Sequence, residues 1–158
     1  HAEIVSKILQ PLANKPNEVL VVNSQEGYEA SKLGNALLSH DDSSMVVLAS
    51  QDSSQRVSYT LYFSWYYMKA PVAPVADTTA VLRAATSDPD VRYNVIYYRA
   101  QGSFEKMLTE VILCWNLLRE NGILIIDGAD EEAESNFKKV ASPARLRYAS
   151  KNITVLQK

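Results

Sequence analysis

YNVIYYRAQGSFEKMLTEVILCWNLLRENGILIIDG, residues 93–128, decides the fold. YNVIYYRAQGSF reads as a half-buried apolar strand running into a loop, because apolar and β-prone residues sit together and Gly102 then breaks the run. FEKMLTEVILCWNLLREN, residues 104–121, carries apolar positions at helical spacing and predicts an amphipathic helix. GILIIDG is a short, wholly apolar run closing on Asp127, as expected of a strand buried on both faces. Strand, helix and strand in this order predict a parallel βαβ unit.

The same alternation extends in both directions. Residues 2–12 place Ile4, Val5, Ile8, Leu9 and Leu12 at helical spacing before Pro11 and Pro16 interrupt it. EVLVV (18–22) is a buried strand that leads through Asn23–Gly27 into a helix whose inner face is Ala30, Leu33 and Leu37. Gly34 within that helix costs up to ~1 kcal/mol relative to alanine unless something packs against it. HDDSS is a polar turn and MVVLAS (45–50) another buried strand. Gln55–Lys69 is expected to be helical, with Val57, Leu61, Trp65 and Met68 on one stripe and Tyr59, Tyr62, Phe63 and Tyr66 on the next.

PVAPVA predicts a short strand, TTAVLRAAT a short helix and SDPD a turn. GADEEAESNFKKVAS starts acidic and ends with Lys138 and Lys139, the charge order a helix dipole favours. ARLRYA and NITVLQK, separated by SKN, are expected to form an antiparallel hairpin. The expected architecture is therefore α/β: a doubly wound, mostly parallel Rossmann-like sheet with helices on both faces and a C-terminal antiparallel hairpin. We expect a single domain, with residues 1–17 as an N-terminal helix and linker and 18–158 as the sheet core.

Composition narrows the function classes. Apolar residues make up 47% and charged residues 22% of 158, the balance of an ordinary soluble globular domain. A formal charge of −2 offers no broad basic field for nucleic acid or for an anionic membrane. No apolar run approaches the ~20 residues that cross a bilayer, so no membrane association is expected. Cys114 is the only cysteine and lies inside a helical pattern beside Trp115, which excludes an internal disulfide and reads as a buried core thiol. His1 and His40 are far apart, which argues against a histidine metal site, and no metal is expected. The chain begins with His rather than Met, so any targeting signal is out of view. A reduced intracellular compartment, cytoplasm or organelle interior, is the expectation.

Taken in order, these elements resemble a class I S-adenosylmethionine-dependent methyltransferase domain, most closely its small O-methyltransferase-like branch. The resemblance runs from EVLVV to NITVLQK and is carried by EVLVVNSQEGYEASKLGNAL, similar to the family's first strand and glycine loop, and by LLRENGILIIDG, similar to its fifth strand. It implies S-adenosylmethionine as the cofactor, held around Asn23, Ser24, Gly27, Tyr28, Ser50, Arg99 and Asp127.

At several of these places the chain departs from the family. The acid that ends the first strand falls on Val21, and the first glycine falls on Asn23; Ser24, Gly27 and Tyr28 keep the turn pattern. Glu29 stands where the family often has a hydroxyl facing the cofactor's carboxylate, placing like charges together. The second strand ends in Ala49 and Ser50 instead of the acid whose two oxygens accept both ribose hydroxyls. Asp52 replaces that acid only if its loop bends back; otherwise it is a solvated turn residue. Where active relatives carry an Asp-Gly-Asp-His-like stretch, this chain has Arg99, Ala100, Gln101 and Gly102, and a permanently charged guanidinium is neither a general base nor a cation ligand. Asp127 is the one expected acid that remains, and it reads equally as a site residue or as a cap for the helix that follows.

Two further features bear on partners. About half of the rings in Tyr59–Tyr67 fit core packing, and the surplus favours a protein partner on this aromatic helix. From Asn136 onward Lys138, Lys139, Arg145, Arg147, Lys151 and Lys158 stand without Asp or Glu; Arg145 and Arg147 read as charges protecting an edge strand, and no motif for sequence-specific nucleic-acid binding is present. Three readings follow. The preferred one is a non-catalytic methyltransferase-like domain acting as a binding or assembly module. The second is an active O-methyltransferase with a divergent pocket, in which alignment does most of the catalysis. The third is a Rossmann-like binder of a small phosphate or carboxylate ligand through Arg99.

Overall fold

The computed structural model describes residues 2–64, 66–129, 131–141 and 144–158; His1, Trp65, Asp130, Ser142 and Pro143 are outside these. Seven strands form one sheet in the order β3-β2-β1-β4-β5-β7-β6, parallel except at its C-terminal end, with helices between the strands. This is the doubly wound Rossmann-like arrangement with a terminal antiparallel hairpin. The chain clusters into two compact units, His1–Ala76 and Asp77–Lys158.

The first unit contains α1 (Ala2–Leu9), β1 (Glu18–Ser24), α2 (Tyr28–Leu37), β2 (Ser44–Ser50), α3 (Ser54–Tyr62) and β3 (Val72–Val75). β1 is buried along nearly its whole length, as its unbroken apolar run requires, and pairs in parallel with β2 from Glu18↔Ser44 onward. β2 pairs in parallel with β3. Ala30, Leu33, Gly34 and Leu37 form the buried face of α2, as their spacing implies. Asn17 fastens the entrance to β1: its side-chain amide donates to the carbonyls of Leu12, Lys15 and Leu37, each at 2.9 Å.

The helix expected over Gln55–Lys69 is shorter. α3 stops at Tyr62, and a separate 3-10 turn covers Tyr67–Lys69. Val57 and Leu61 are buried, whereas Met68, expected on the same stripe, is exposed; Trp65 is not among the described residues. Tyr59, Tyr62 and Phe63 are also exposed, so the inner stripe is narrower than the ring spacing suggests. Lys69 holds the 3-10 turn, its Nζ donating to the carbonyls of Leu38 at 3.2 Å and His40 at 2.7 Å.

The second unit contains α4 (Thr78–Thr86), β4 (Tyr93–Arg99), α5 (Phe104–Leu117), β5 (Leu118–Asp127), α6 (Glu131–Val140), β6 (Arg145–Ala149) and β7 (Ile153–Gln157). Asp77 and Ser103 begin α4 and α5 by accepting from the N–H groups of Ala80 and Lys106, each at 3.2 Å. β5 pairs with β4 in parallel and with β7 antiparallel, leaving β6 at the edge. The protected-edge reading of ARLRYA accords with that position.

The helix expected over 104–121 ends four residues early. Leu118 already pairs with Tyr93, and the ladder then skips so that Val95 meets Ile123. Asn121, at φ 67°, turns the bulge, and its N–H and carbonyl are held by the carbonyl of Lys158 at 3.1 Å and the Gln157 amide at 3.0 Å. A Cβ at Gly122 would lie 2.7 Å from Leu118 Cγ and 2.8 Å from the Arg119 carbonyl oxygen, so only glycine fits there.

Candidate functional site

In the first unit, the loop between β1 and α2 gathers Asn23, Ser24, Gly27 and Tyr28. The β1–β2 ladder shifts between Val22 and Ser24, and Asn23 takes a left-handed φ of 64° at that bulge, a conformation asparagine tolerates. Ser24 is buried, and its Oγ has no hydrogen-bond partner. Gly27 has φ 86° and caps α2. A Cβ on Gly27 would sit 3.0 Å from Thr60 Cβ and 3.2 Å from the Val57 carbonyl oxygen, so its bare side is filled by α3. The Arg56–Glu26 ion pair at 3.2 Å spans the same junction.

Tyr28 opens α2 with its ring largely exposed, and Glu29 beside it is half-buried. Ser50 ends β2 next to Ala49, the register partner of Ser24. Its hydroxyl accepts from the Ser53 N–H at 3.2 Å and lies 3.0 Å from Ser53 Oγ, which shapes the turn into α3. Asp52 in this turn is exposed. Val21 and Ala49, at or beside the family's acid positions, are fully buried and apolar.

In the second unit, Arg99 and Asp127 are register partners at the carboxyl ends of β4 and β5. The Asp127 carboxylate accepts from the Tyr97 hydroxyl, and its backbone carbonyl accepts from the Ala100 N–H at 2.8 Å. Tyr97, Arg99 and Asp127 share one face, because residues two apart on a strand point the same way. α6 is described from Glu131, four residues beyond Asp127, and the partner seen for the Asp127 carboxylate is the Tyr97 hydroxyl.

One polar cluster escaped sequence reading. Glu110 on α5 is 0% exposed. Its carboxylate accepts from the Tyr98 hydroxyl at 2.9 Å and from the Thr79 hydroxyl at 3.0 Å. Burial first, and then the Glu110 carboxylate, pushes the Tyr98 hydroxyl far above the ordinary tyrosine value. The Cys114 thiol is pushed up in the same way, by burial and then by Glu110. A signal was present: Glu110 falls on the apolar stripe that continues through Cys114 and Leu117, so its spacing points inward although its charge suggests a surface residue. Among the described residues, no three His, Cys, Asp or Glu side chains come together as a metal ion would require, and no helix is long and apolar enough to cross a membrane.

No protein-family model matches the chain, and no curated protein sequence does. Solved structures do resemble it. An O-methyltransferase from Bacillus cereus in complex with SAH has a TM-score of 0.73 at 12% identity, over 99% of this chain and 80% of that one. A protein from Clostridium thermocellum named as an rRNA-methylase has a TM-score of 0.73 at 10% identity, over 97% of this chain and 91% of its own. The O-methyltransferase TomG from Streptomyces achromogenes, in complex with SAM, has a TM-score of 0.69 at 12% identity, over 97% and 77% of the two chains. Identity this low speaks for architecture alone, and on that architecture the chain has the fold of the class I S-adenosylmethionine-dependent methyltransferases.

Proposed function

We propose that this chain is a non-catalytic methyltransferase-like domain that serves as a binding or assembly module. The observation that carries the reading is the environment of Gly27. In a cofactor loop, a glycine lets a ligand approach the backbone; here the space beside Gly27 is taken by Thr60 and Val57 of α3. The neighbouring positions agree. Val21 and Ala49 are buried hydrocarbon at or beside the places where carboxylates would bind, and the Ser50 hydroxyl is engaged with Ser53. The residues present therefore do not fit the family's way of holding S-adenosylmethionine, and no methyl-transfer step is derived through it.

Isothermal titration of the chain with S-adenosylmethionine and with S-adenosylhomocysteine tests this. No saturable heat is expected at dissociation constants tighter than about 100 µM. Tighter binding together with transfer of a radiolabelled methyl group to a component of cell extract would overturn the reading.

The second reading, an active enzyme with a divergent pocket, is favoured by one observation. The Ser24 Oγ is buried without a partner on the very loop that would meet the cofactor. An orphaned hydroxyl costs stability and is often retained for a ligand or an ordered water. For a phosphate or carboxylate at Arg99 the surroundings are unfavourable, because Asp127 is its register partner and presents like charge to an anion.

A further inference from the structure

The face formed by α3 and the 3-10 turn after it is the largest cluster of exposed apolar side chains among the described residues. We propose that it is a homodimer interface, on which the same face of a second copy of this chain packs about a two-fold axis. The proposal rests on the reading of the domain as an assembly module and names its partner.

Area is the first argument. Tyr59, Tyr62, Phe63, Tyr67 and Met68 are 69%, 64%, 70%, 42% and 80% exposed. At ~200 Å² per large side chain the four linked rings alone present roughly 490 Å², with Met68 exposed on the same turn as Tyr67. That lies at the upper end of the ~300–600 Å² of the largest apolar patch on a typical monomer and is more than half of the ~800 Å² each partner contributes to a stable interface. A groove of about 540 Å³ beside it, lined by Ser58, Tyr59, Tyr62, Val72 and Pro74, extends the same surface.

Order is the second argument. Tyr59 and Phe63 meet edge to face at 5.2 Å, Tyr62 and Phe63 at 5.5 Å, and Tyr62 and Tyr67 at 5.3 Å between ring centroids. Rings that hold one another lose less rotational freedom when a partner covers them.

Charge points to self-association. Residues 53–76 contain no Asp or Glu and only two cations, Arg56 and Lys69. Arg56 is paired with Glu26, and Lys69 is bonded to two backbone carbonyls. A two-fold contact sets each patch against its own copy, so free charge of one sign would repel itself. Arg56 is neutralised by Glu26, and the one remaining charge, Lys69, is turned onto backbone carbonyls, so like-charge repulsion between two copies is small and the face offers little charge by which an acidic or basic partner would recognise it.

Strand addition is not the mode of contact. The Val47 N–H donates to the Pro71 carbonyl at 3.0 Å, so Pro71, Ala73 and Val75 direct their polar groups toward β2, and Val72 and Pro74 direct theirs toward the open edge. Pro74 has no N–H to offer there, and an incoming strand would lose that bond. Association must come from side-chain packing.

Sedimentation equilibrium of the chain from about 1 to about 100 µM tests the proposal. The mass is expected to rise from 17.6 kDa to twice that value. Phe63→Glu and Tyr59→Glu should weaken the dimer at least about 100-fold. Both side chains are exposed, so circular dichroism and the urea midpoint should be unchanged. Leu146→Glu on β6, an exposed apolar residue elsewhere, should leave the dimer intact. A wild-type mass of 17.6 kDa at the highest concentration overturns the proposal, as does a dimer that persists in both variants. Monomers that float with lipid vesicles through Phe63 also overturn it, assigning the face to a membrane. Cofactor titration is read separately: a monomer without cofactor affinity ends the dimer proposal and leaves the non-catalytic reading, whereas a dimer that binds S-adenosylmethionine tightly does the reverse.

Discussion

Gly27 and Gly34 should respond in opposite directions to the same substitution. Gly27→Ala places a methyl 3.0 Å from Thr60 Cβ on a backbone at φ 86°, and is expected to lower unfolding free energy by about 1–3 kcal/mol in urea titrations. Gly34→Ala places it at an ordinary 3.5 Å from Leu38 Cδ1 within α2, and should raise stability by up to ~1 kcal/mol. Ser24→Ala should also stabilise, by about 1 kcal/mol, because it removes a buried hydroxyl that has nothing to bond. A loss of stability in Ser24→Ala would show that the hydroxyl is satisfied in solution. The left-handed turn at Gly27 was legible in the sequence, since serine and glycine after a buried strand announce it. The neighbour that fills its bare side was not, because Thr60 lies 33 positions away and local pattern cannot say which residues of α3 face the loop. Glu110 was hidden for a different reason: a carboxylate on an amphipathic helix is ordinarily solvated, whereas in the fold two hydroxyl donors offset the cost of burying this one.

Among the elements, β4 and α5 share the network of Tyr98, Glu110 and Cys114, and this gives the second unit a defined alkaline limit. The folded chain keeps the Cys114 and Tyr98 protons to higher pH than the unfolded chain does, since both groups are raised. Unfolding therefore releases protons once pH passes the ordinary thiol value of 9.0, and stability falls from there upward. The slope should approach about 1.4 kcal/mol per pH unit for each group, with the tyrosine joining above its ordinary value of 10.0. Urea midpoints measured from neutral pH upward should be flat below this onset, and Cys114→Ala should remove the thiol's share of the slope. Element types and order were readable because buried strands and amphipathic helices carry different periods. Boundaries were less so. Leu117 and Leu118 look like one continuous helix in LLREN, yet pairing with Tyr93 draws Leu118 into β5, and the left-handed Asn121 before Gly122 completes the turn. α3 likewise ends before its expected boundary, at Tyr62, with Val57 and Leu61 as its buried residues.

At the scale of the whole molecule, architecture and residue identity separate. The likeness to solved methyltransferases spans 97–99% of the chain, while identity stays at 10–12%. Buried apolar strands conserve volume and pattern without conserving particular residues, so the sheet was legible from EVLVV, MVVLAS and GILIID. A ligand site depends on single oxygens at single positions, and there Val21, Ala49 and Arg99 depart from the resemblance. The aromatic surplus was legible as surplus, but not its arrangement: only the fold shows Tyr59, Tyr62, Phe63 and Tyr67 turned outward together. Finally, the lone thiol of the chain, Cys114, is buried within the second unit. A molecule with one unreachable thiol reports its own opening: alkylating or disulfide-exchange reagents gain access only when α5 lifts away. Their labelling rate is thus a clock for that event, needing no engineered probe, and in the closed state the protein does not cross-link through its cysteine.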